Sequence, residues 1–205
     1  MKPEPKTSAR NASRLFGLVL SGGSSTRMGE DKGLLEYHGI PQREHLYHLL
    51  GKVCDNVFLS IQKEQLAHVP DGFKTILDQD VHKGPFNGIL SAFDAYDDVA
   101  WLVLACDLPF MTQDVLEQLI RNRCLGKDAT AFASPETGKP EPLACIWELQ
   151  GLKKALAYTQ NTNGRSPIKF LMEADIQLVN AENDLALFNA NSETDYTFVK
   201  NKLME

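Results

Sequence analysis

The sequence predicts an α/β domain built on a mainly parallel sheet, and three observations carry that expectation. Apolar runs of strand length alternate with stretches whose apolar residues recur at helical spacing, the pattern of sheets crossed over by helices. One run, Val99-Ala-Trp-Leu-Val-Leu-Ala-Cys106, is apolar without a break, as a strand covered on both faces requires. Three candidate functional stretches also fall at the carboxyl ends of such strands, the edge where open α/β sheets meet their ligands. At 205 residues, 43% of them hydrophobic, the chain can bury one substantial core, so residues 15–205 read as a single domain.

The elements follow in order. Met1 to Arg14 mix Lys, Pro, Glu, Ser and Asn without an apolar centre, so residues 1–14 read as a flexible tail and not as a secretory signal. Leu15 to Leu20 is the first strand, and it stops at a pair of glycines. The stretch Leu20-Ser-Gly-Gly-Ser-Ser-Thr-Arg-Met-Gly-Glu-Asp-Lys32 then suits a phosphate-holding loop. Gly22 and Gly23 let backbone N–H groups approach an anion, while Arg27 and Lys32 bring charge that a neutral loop lacks. The competing reading is a surface turn with a chance basic pair. Two other nucleotide loops do not fit: Gly29 is followed by Glu30 and Asp31 before Lys32 arrives, and no G-x-G-x-x-G is present.

Pro41 can start a helix running to about Lys52. His45 and His48 sit three apart on it, and with no third ligand nearby they read as a solvated or packed face rather than a metal pair. Asn56 to Gln62 and Phe73 to Asp78 are the second and third strands, the latter ending in a carboxylate. Val81 to Gly88 is a loop with Gly84-Pro85 as its turn pair, opening a helix from about Phe86 to Tyr96. After the central strand, Thr112 caps a helix to about Arg123, with Val115, Leu116, Leu119 and Ile120 at helical spacing. Ala129 to Ser134 and Leu143 to Trp147 are strands joined by a polar arm, Pro135 to Pro142. Leu149 to Tyr158 is helical, Ser166-Pro167 starts another helix ending near Ala174, and Ile176 to Val179 is a late strand. Ser192-Glu-Thr-Asp195 forms a capping box before a last helix that holds Tyr196, Val199 and Leu203 against the body.

Charge and cysteines narrow the function classes. A net charge of −6 leaves no basic excess to neutralise a nucleic-acid backbone, so any phosphate must be met by a few placed cations. No apolar run approaches the roughly 20 residues that cross a bilayer, and a soluble, cytoplasmic protein is expected. Cys54, Cys106, Cys124 and Cys145 contain no C-x-x-C pair and read as reduced, mostly buried thiols.

Chemistry concentrates in a second stretch, Leu104-Ala-Cys-Asp-Leu-Pro-Phe110, where a buried strand delivers Asp107 and Pro109 prevents regular continuation. A carboxylate at the lip of a parallel sheet, facing a glycine loop on a neighbouring strand, is placed to hold Mg2+ between itself and phosphate oxygens. The alternative is an Asp that starts a turn before Thr112, and Asp78 at its own strand end carries the same two readings.

Leu20 to Lys32 resembles the L-x-G-G-x-S-x-R-M-G-x-D-K signature of the molybdenum cofactor guanylyltransferase family, MobA-like nucleotidyltransferases. Gly84-Pro-Phe-Asn-Gly-Ile89 is similar to the family's G-P-L-x-G-I/L segment and Ala105-Cys-Asp-Leu-Pro109 to its C-D-x-P segment. Glu141-Pro-Leu143, Arg165 and Asn189-Ala-Asn-Ser192 resemble later landmarks, so the likeness spans about Phe16 to Leu203. The chain departs from the pattern with Ser21 for Ala, Gln62 for Asn and Phe86 for Leu.

The resemblance implies a three-layer α/β/α fold with a Rossmann-like sheet of the nucleotide-diphospho-sugar transferase type. It implies Mg2+-dependent transfer of GMP from GTP to the phosphate of molybdopterin, with release of pyrophosphate. Leu20, Ser21, Gly22 and Gly23 would line the nucleotide, with Arg27 and Lys32 on its phosphates. Gln62 and Asp78 would approach the nucleoside, and Asp107 would bind nucleotide through Mg2+. Asn191 would complete the metal surroundings and Arg165 would meet the phosphorylated acceptor. GTP and molybdopterin are the substrates it suggests, and a molybdoenzyme or another cofactor-biosynthesis protein is the partner class, with no nucleic acid and no membrane. A cytidylyltransferase, a sugar-phosphate nucleotidyltransferase and a non-catalytic nucleotide or cofactor carrier stay open beside that reading.

Overall fold

The fold was analysed in a computed structural model that describes residues 14–22, 32–162 and 164–205. Most of the expected 1–14 tail therefore lies outside the described residues. The strands are β1 (Leu15–Leu20), β2 (Asn56–Ile61), β3 (Thr75–Leu77), β4 (Ala100–Ala105), β5 (Ala129–Ala133), β6 (Pro140–Trp147) and β7 (Ile176–Asn180). The helices among the described residues are α1 (Gln42–Leu50), α2 (Phe86–Ala95), α3 (Gln113–Arg121), α4 (Leu149–Thr162), α5 (Pro167–Glu173) and α6 (Glu193–Leu203).

Among the described residues the seven strands join one sheet in the order β3-β2-β1-β4-β6-β5-β7. β1 runs parallel to β2 and β4, β2 to β3, and β5 to β7. β6 lies antiparallel between β4 and β5, so it alone among these strands reverses direction. The mainly parallel sheet is therefore as expected.

Alternation along each strand divides the core in two. On one face Leu15 and Val19 of β1 join Ala100, Leu102 and Leu104 of β4, packed against Leu46, Leu49 and Leu50 of α1 and Val115, Leu116 and Leu119 of α3. On the other, Phe16 and Leu18 join Trp101 and Val103, covered by Ile89, Leu90 and Phe93 of α2, by Leu152 and Ala155 of α4 and by Phe170 and Leu171 of α5. Those are the three layers, and each fully buried side chain of this size contributes about 1.5–3 kcal/mol of apolar transfer. A smaller cluster of Tyr37, Phe110, Ala190 and Val199 docks α6 onto the corner that follows β4.

Several boundaries differ from the sequence reading for local reasons. α1 ends at Leu50 because Gly51 follows, its N–H closing the helix on the Tyr47 carbonyl at 3.0 Å. β6 starts at Pro140, inside the expected polar arm. Its pairing with β5 jumps from Cys145 opposite Ala131 to Glu141 opposite Phe132, a bulge that accommodates Pro142. α4 continues to Thr162, whose hydroxyl donates to the Tyr158 carbonyl at 2.7 Å. Short 3-10 turns at Lys32–Leu34 and Lys63–His68 carry no periodic apolar signal and were not expected. The capping box of α6 is present in both halves: Asp195 N–H donates to Ser192 Oγ at 3.1 Å, and Ser192 N–H to Asp195 Oδ2 at 2.9 Å.

Candidate active site

Parallel pairing brings the carboxyl ends of β1, β2, β3 and β4 to one edge, where they open into a cleft of about 460 Å3. Leu20, Ser21, Gly22, Lys32, Gln62, Asp78 and Asp107, each singled out in the sequence, all line it. Gly23 and Arg27 lie outside the described residues. The start of α2 forms the opposite wall with Pro85, Asn87 and Gly88, and the reversed strand β6 enters from its own end to add Leu143.

One half of the cleft is built by close backbone approach. Ser21 N–H donates to the Ser60 carbonyl and Asp78 N–H to that of Ile61, both at 2.9 Å, so the β2 end bridges the two. Gly22 lies so near Asp78 that a Cβ there would collide with carboxylate Oδ2. Gly88 presses equally on Ser60 Oγ and on Leu20 Cδ2, which a Cβ would meet at 2.7 Å. A larger residue at either place would force a neighbouring side chain to move. The Ser60 hydroxyl donates to Asp78 Oδ1 at 2.5 Å. Burial pushes the Asp78 carboxyl above its usual range, the Ser60 bond opposing and the charge of Asp80 adding. Gln62 begins the 3-10 turn, where its N–H donates to Gln65 Oε1 at 2.8 Å while Gln65 Nε2 donates to the Ser21 carbonyl at 2.9 Å.

Charge defines the other half. Lys32 Nζ stands 3.8 Å from Asp107 Oδ2 and donates to Asn191 Oδ1. Burial raises the Asp107 carboxyl above the ordinary aspartate range, and attraction to Lys32 only partly opposes it. Asp107 Oδ1 is buried, with no hydrogen-bond partner among the described residues. The segment before α6 fixes this corner: Ala190 N–H donates to the Asp107 carbonyl, and Asn191 and Ser192 N–H both donate to Asp195 Oδ2, each bond 2.9 Å long. Asn191 thus reaches the site through Lys32. Arg165 is exposed and does not line the cleft. Its carbonyl lies at the rim, 3.6 Å from where a Cβ on Gly84 would stand.

Some contributors escaped the sequence reading. Asp80 lines the cleft with a left-handed φ of 56°, a conformation Asp tolerates better than most residues. Its Oδ1 accepts from Asn87 Nδ2 at 3.3 Å, and Asn87 Oδ1 accepts from His82 N–H at 3.3 Å, which ties the β3–α2 loop to the helix start. Glu141, noted only as a landmark, is a half-buried carboxylate raised by desolvation, with Asp107 nearby adding to the shift. A D-x-D at a strand end was a readable signal for Asp80, whereas Ser60 and Glu141 depended on sheet register. His45 takes its packed reading: its ring stacks on His38 at 3.7 Å, and His38 Nε2 lies 2.9 Å from the Pro109 carbonyl. No three His, Cys, Asp or Glu gather as a metal group among the described residues. Cys106 and Cys145 are buried and Cys54 and Cys124 only partly so, so the expectation of mostly buried thiols holds for two of the four.

A sequence model of the MobA-like NTP transferase domain matches residues 17–177. A molybdenum cofactor biosynthesis bifunctional protein from Synechocystis is 38% identical over 89% of this chain, which spans 52% of that relative's length. A molybdenum cofactor guanylyltransferase from Pseudomonas fluorescens is 30% identical, with 85% of this chain and 88% of the relative covered. Among solved structures, molybdopterin-guanine dinucleotide biosynthesis protein A from Archaeoglobus fulgidus superposes with a TM-score of 0.76 at 20% identity, over 92% of this chain and 98% of that one. The sheet order, the cleft at its carboxyl edge and a match covering most of the sequence agree: the chain belongs to the MobA-like NTP transferase family.

Proposed function

We propose that the chain transfers GMP from GTP to the phosphate of molybdopterin. The observation that carries this reading is the meeting of Lys32 and Asp107, 3.8 Å apart, at the sheet edge where Gly22 lets backbone approach the cleft. The name of the Pseudomonas relative, a molybdenum cofactor guanylyltransferase, supports the base and the acceptor, and that of the Synechocystis relative supports the acceptor.

In this reading an oxygen of the acceptor phosphate attacks the α-phosphorus of GTP. The bond from that phosphorus to the bridging oxygen breaks, and pyrophosphate leaves with the bonding pair. Charge grows on oxygens throughout, so fixed positive groups and position do most of the catalysis, without a covalent enzyme intermediate. Lys32 and Arg27 bind phosphate oxygens. Leu20, Ser21, Gly22 and Gly23 hold the nucleotide against the β1 end, and Gln62 and Asp78 meet the nucleoside. Arg165, at the rim, meets the acceptor.

Mg2+ suits the donors here. Asp107 offers a buried oxygen that no hydrogen bond among the described residues satisfies, Asn191 adds an amide oxygen, and both are hard ligands of the kind this ion takes. Bound there with phosphate, it would supply charge neutralisation for the leaving oxygens. The setting is the cytoplasm, and no helix among the described residues is long and apolar enough to cross a membrane. A molybdoenzyme or another cofactor-biosynthesis protein is the partner that would receive the product.

The test is a panel of nucleoside triphosphates assayed for pyrophosphate release with Mg2+, with and without molybdopterin. Release with GTP that requires molybdopterin is the expected result. A preference for CTP would overturn the base, and no release with any triphosphate would overturn the transferase reading.

A further inference from the structure

We infer that Lys32 and a divalent cation compete for the same two oxygens, the Asp107 carboxylate and Asn191 Oδ1, so that cation binding waits for nucleotide phosphate to draw the lysine away. The ammonium hydrogen-bonds Asn191 Oδ1 and stands 3.8 Å from Asp107 Oδ2. It holds the position between them that a hard cation would take. Two positive ions cannot share such a position, because their repulsion at a few ångströms is poorly screened where water is scarce. Water is partly excluded on the carboxylate side, where the Lys32 and Asp107 side chains are only 18% and 22% exposed, while Asn191 borders solvent.

The backbone that carries the two oxygens is braced, whereas the lysine stands on a long stem. Asp107 is tied through its carbonyl to Ala190 N–H, and Asn191 and Ser192 are both tied through their N–H groups to Asp195. A short stretch of backbone therefore holds carboxylate and amide in one frame. Lys32 reaches that frame on a flexible four-carbon stem rooted in a 3-10 turn, and its compact point charge can swing to a phosphate at little cost. Asp195 and Ala190 act as positioning groups, and both lie beyond residue 177, outside the part of the chain the family's sequence model matches. The inference rests on the proposed nucleotide site in one respect, that phosphate is what takes the lysine away.

The experiment measures Mn2+ binding to the full chain without nucleotide, by the electron paramagnetic resonance of the free ion. Wild type, Lys32→Met and Lys32→Gln are compared, after circular dichroism has shown which variants keep the wild-type fold. Removing one positive charge beside the ion is expected to tighten Mn2+ binding about tenfold or more, and adding Asn191→Leu to Lys32→Met is expected to abolish the gain. Mn2+ affinity unchanged or weakened in both folded variants overturns the inference, as does a gain that survives Asn191→Leu. Pyrophosphate release by wild type is measured beside it. If release is absent while the Mn2+ gain is present, the transferase reading falls and the competition stands; the opposite pattern leaves the transferase reading and removes the competition.

Discussion

Gly22→Ala is the sharpest probe of how the cleft is built. The added methyl would occupy the place of Asp78 Oδ2, so the carboxylate must swing out, and in doing so it abandons the hydroxyl of Ser60, 2.5 Å away. A hydrogen bond to an ionised acceptor is worth about 1.5–3 kcal/mol, and forcing a methyl into filled space costs about 1–3 kcal/mol. With partial relaxation we expect a loss of about 2–4 kcal/mol, which for a domain of this size lowers the melting midpoint by about 2–4 °C per kcal/mol. In an Asp78→Ala background the obstruction is gone, and the same methyl should cost less than about 1 kcal/mol. Urea denaturation of wild type, both single variants and the double variant closes the cycle, with a coupling energy of about 2 kcal/mol expected. Additivity to within about 0.5 kcal/mol would refute the account, because the two residues would then not be competing for space.

Three further outcomes follow from the charged half and its surroundings. Lys32→Ala and Asp107→Ala should each lower pyrophosphate release by about 100-fold or more with an unchanged circular dichroism spectrum, and near-normal turnover in either would remove that residue from the site. Asp107→Asn should stabilise the protein at neutral pH. Burial holds the Asp107 carboxyl above 3.8, so the wild type loses stability as pH climbs from that value through the raised one, and the variant's advantage should vanish in melts below it. His45 is held down to about 4, mainly by burial and then by the nearby charges of His38, Lys52 and His48, so it stays neutral while the unfolded histidine protonates near 6.5. Stability should therefore fall with pH between those values, and a proton NMR titration midpoint near 6.5 for His45 would contradict its packing on His38.

The parts of this fold that announced themselves in the sequence are those whose physics is local. An unbroken apolar run of strand length fits a strand covered twice, and Ser192 with Asp195 closes its box within one turn, so β4 and the start of α6 were readable. Lys32, Asp78 and Asp107 were readable because each follows directly from a strand or loop that local composition marks. What stayed hidden depends on register between distant segments. The bulge that starts β6 at Pro140 exists only because β5 lies beside it. Ser60 is an ordinary strand residue until parallel pairing sets its hydroxyl on Asp78. Asn191 was assigned by resemblance to the metal surroundings, and its hydrogen bond to Lys32 joins residues 159 positions apart, which no window along the chain can see.

That long-range closure bears on how the protein is made. A nascent chain emerging from the ribosome presents β7, the last strand to join the sheet, before it presents Ala190, Asn191 and Asp195. The scaffold can therefore be complete while the corner around Asp107 is still unbraced, and that corner closes only when residues 190–195 follow the sheet out of the ribosome.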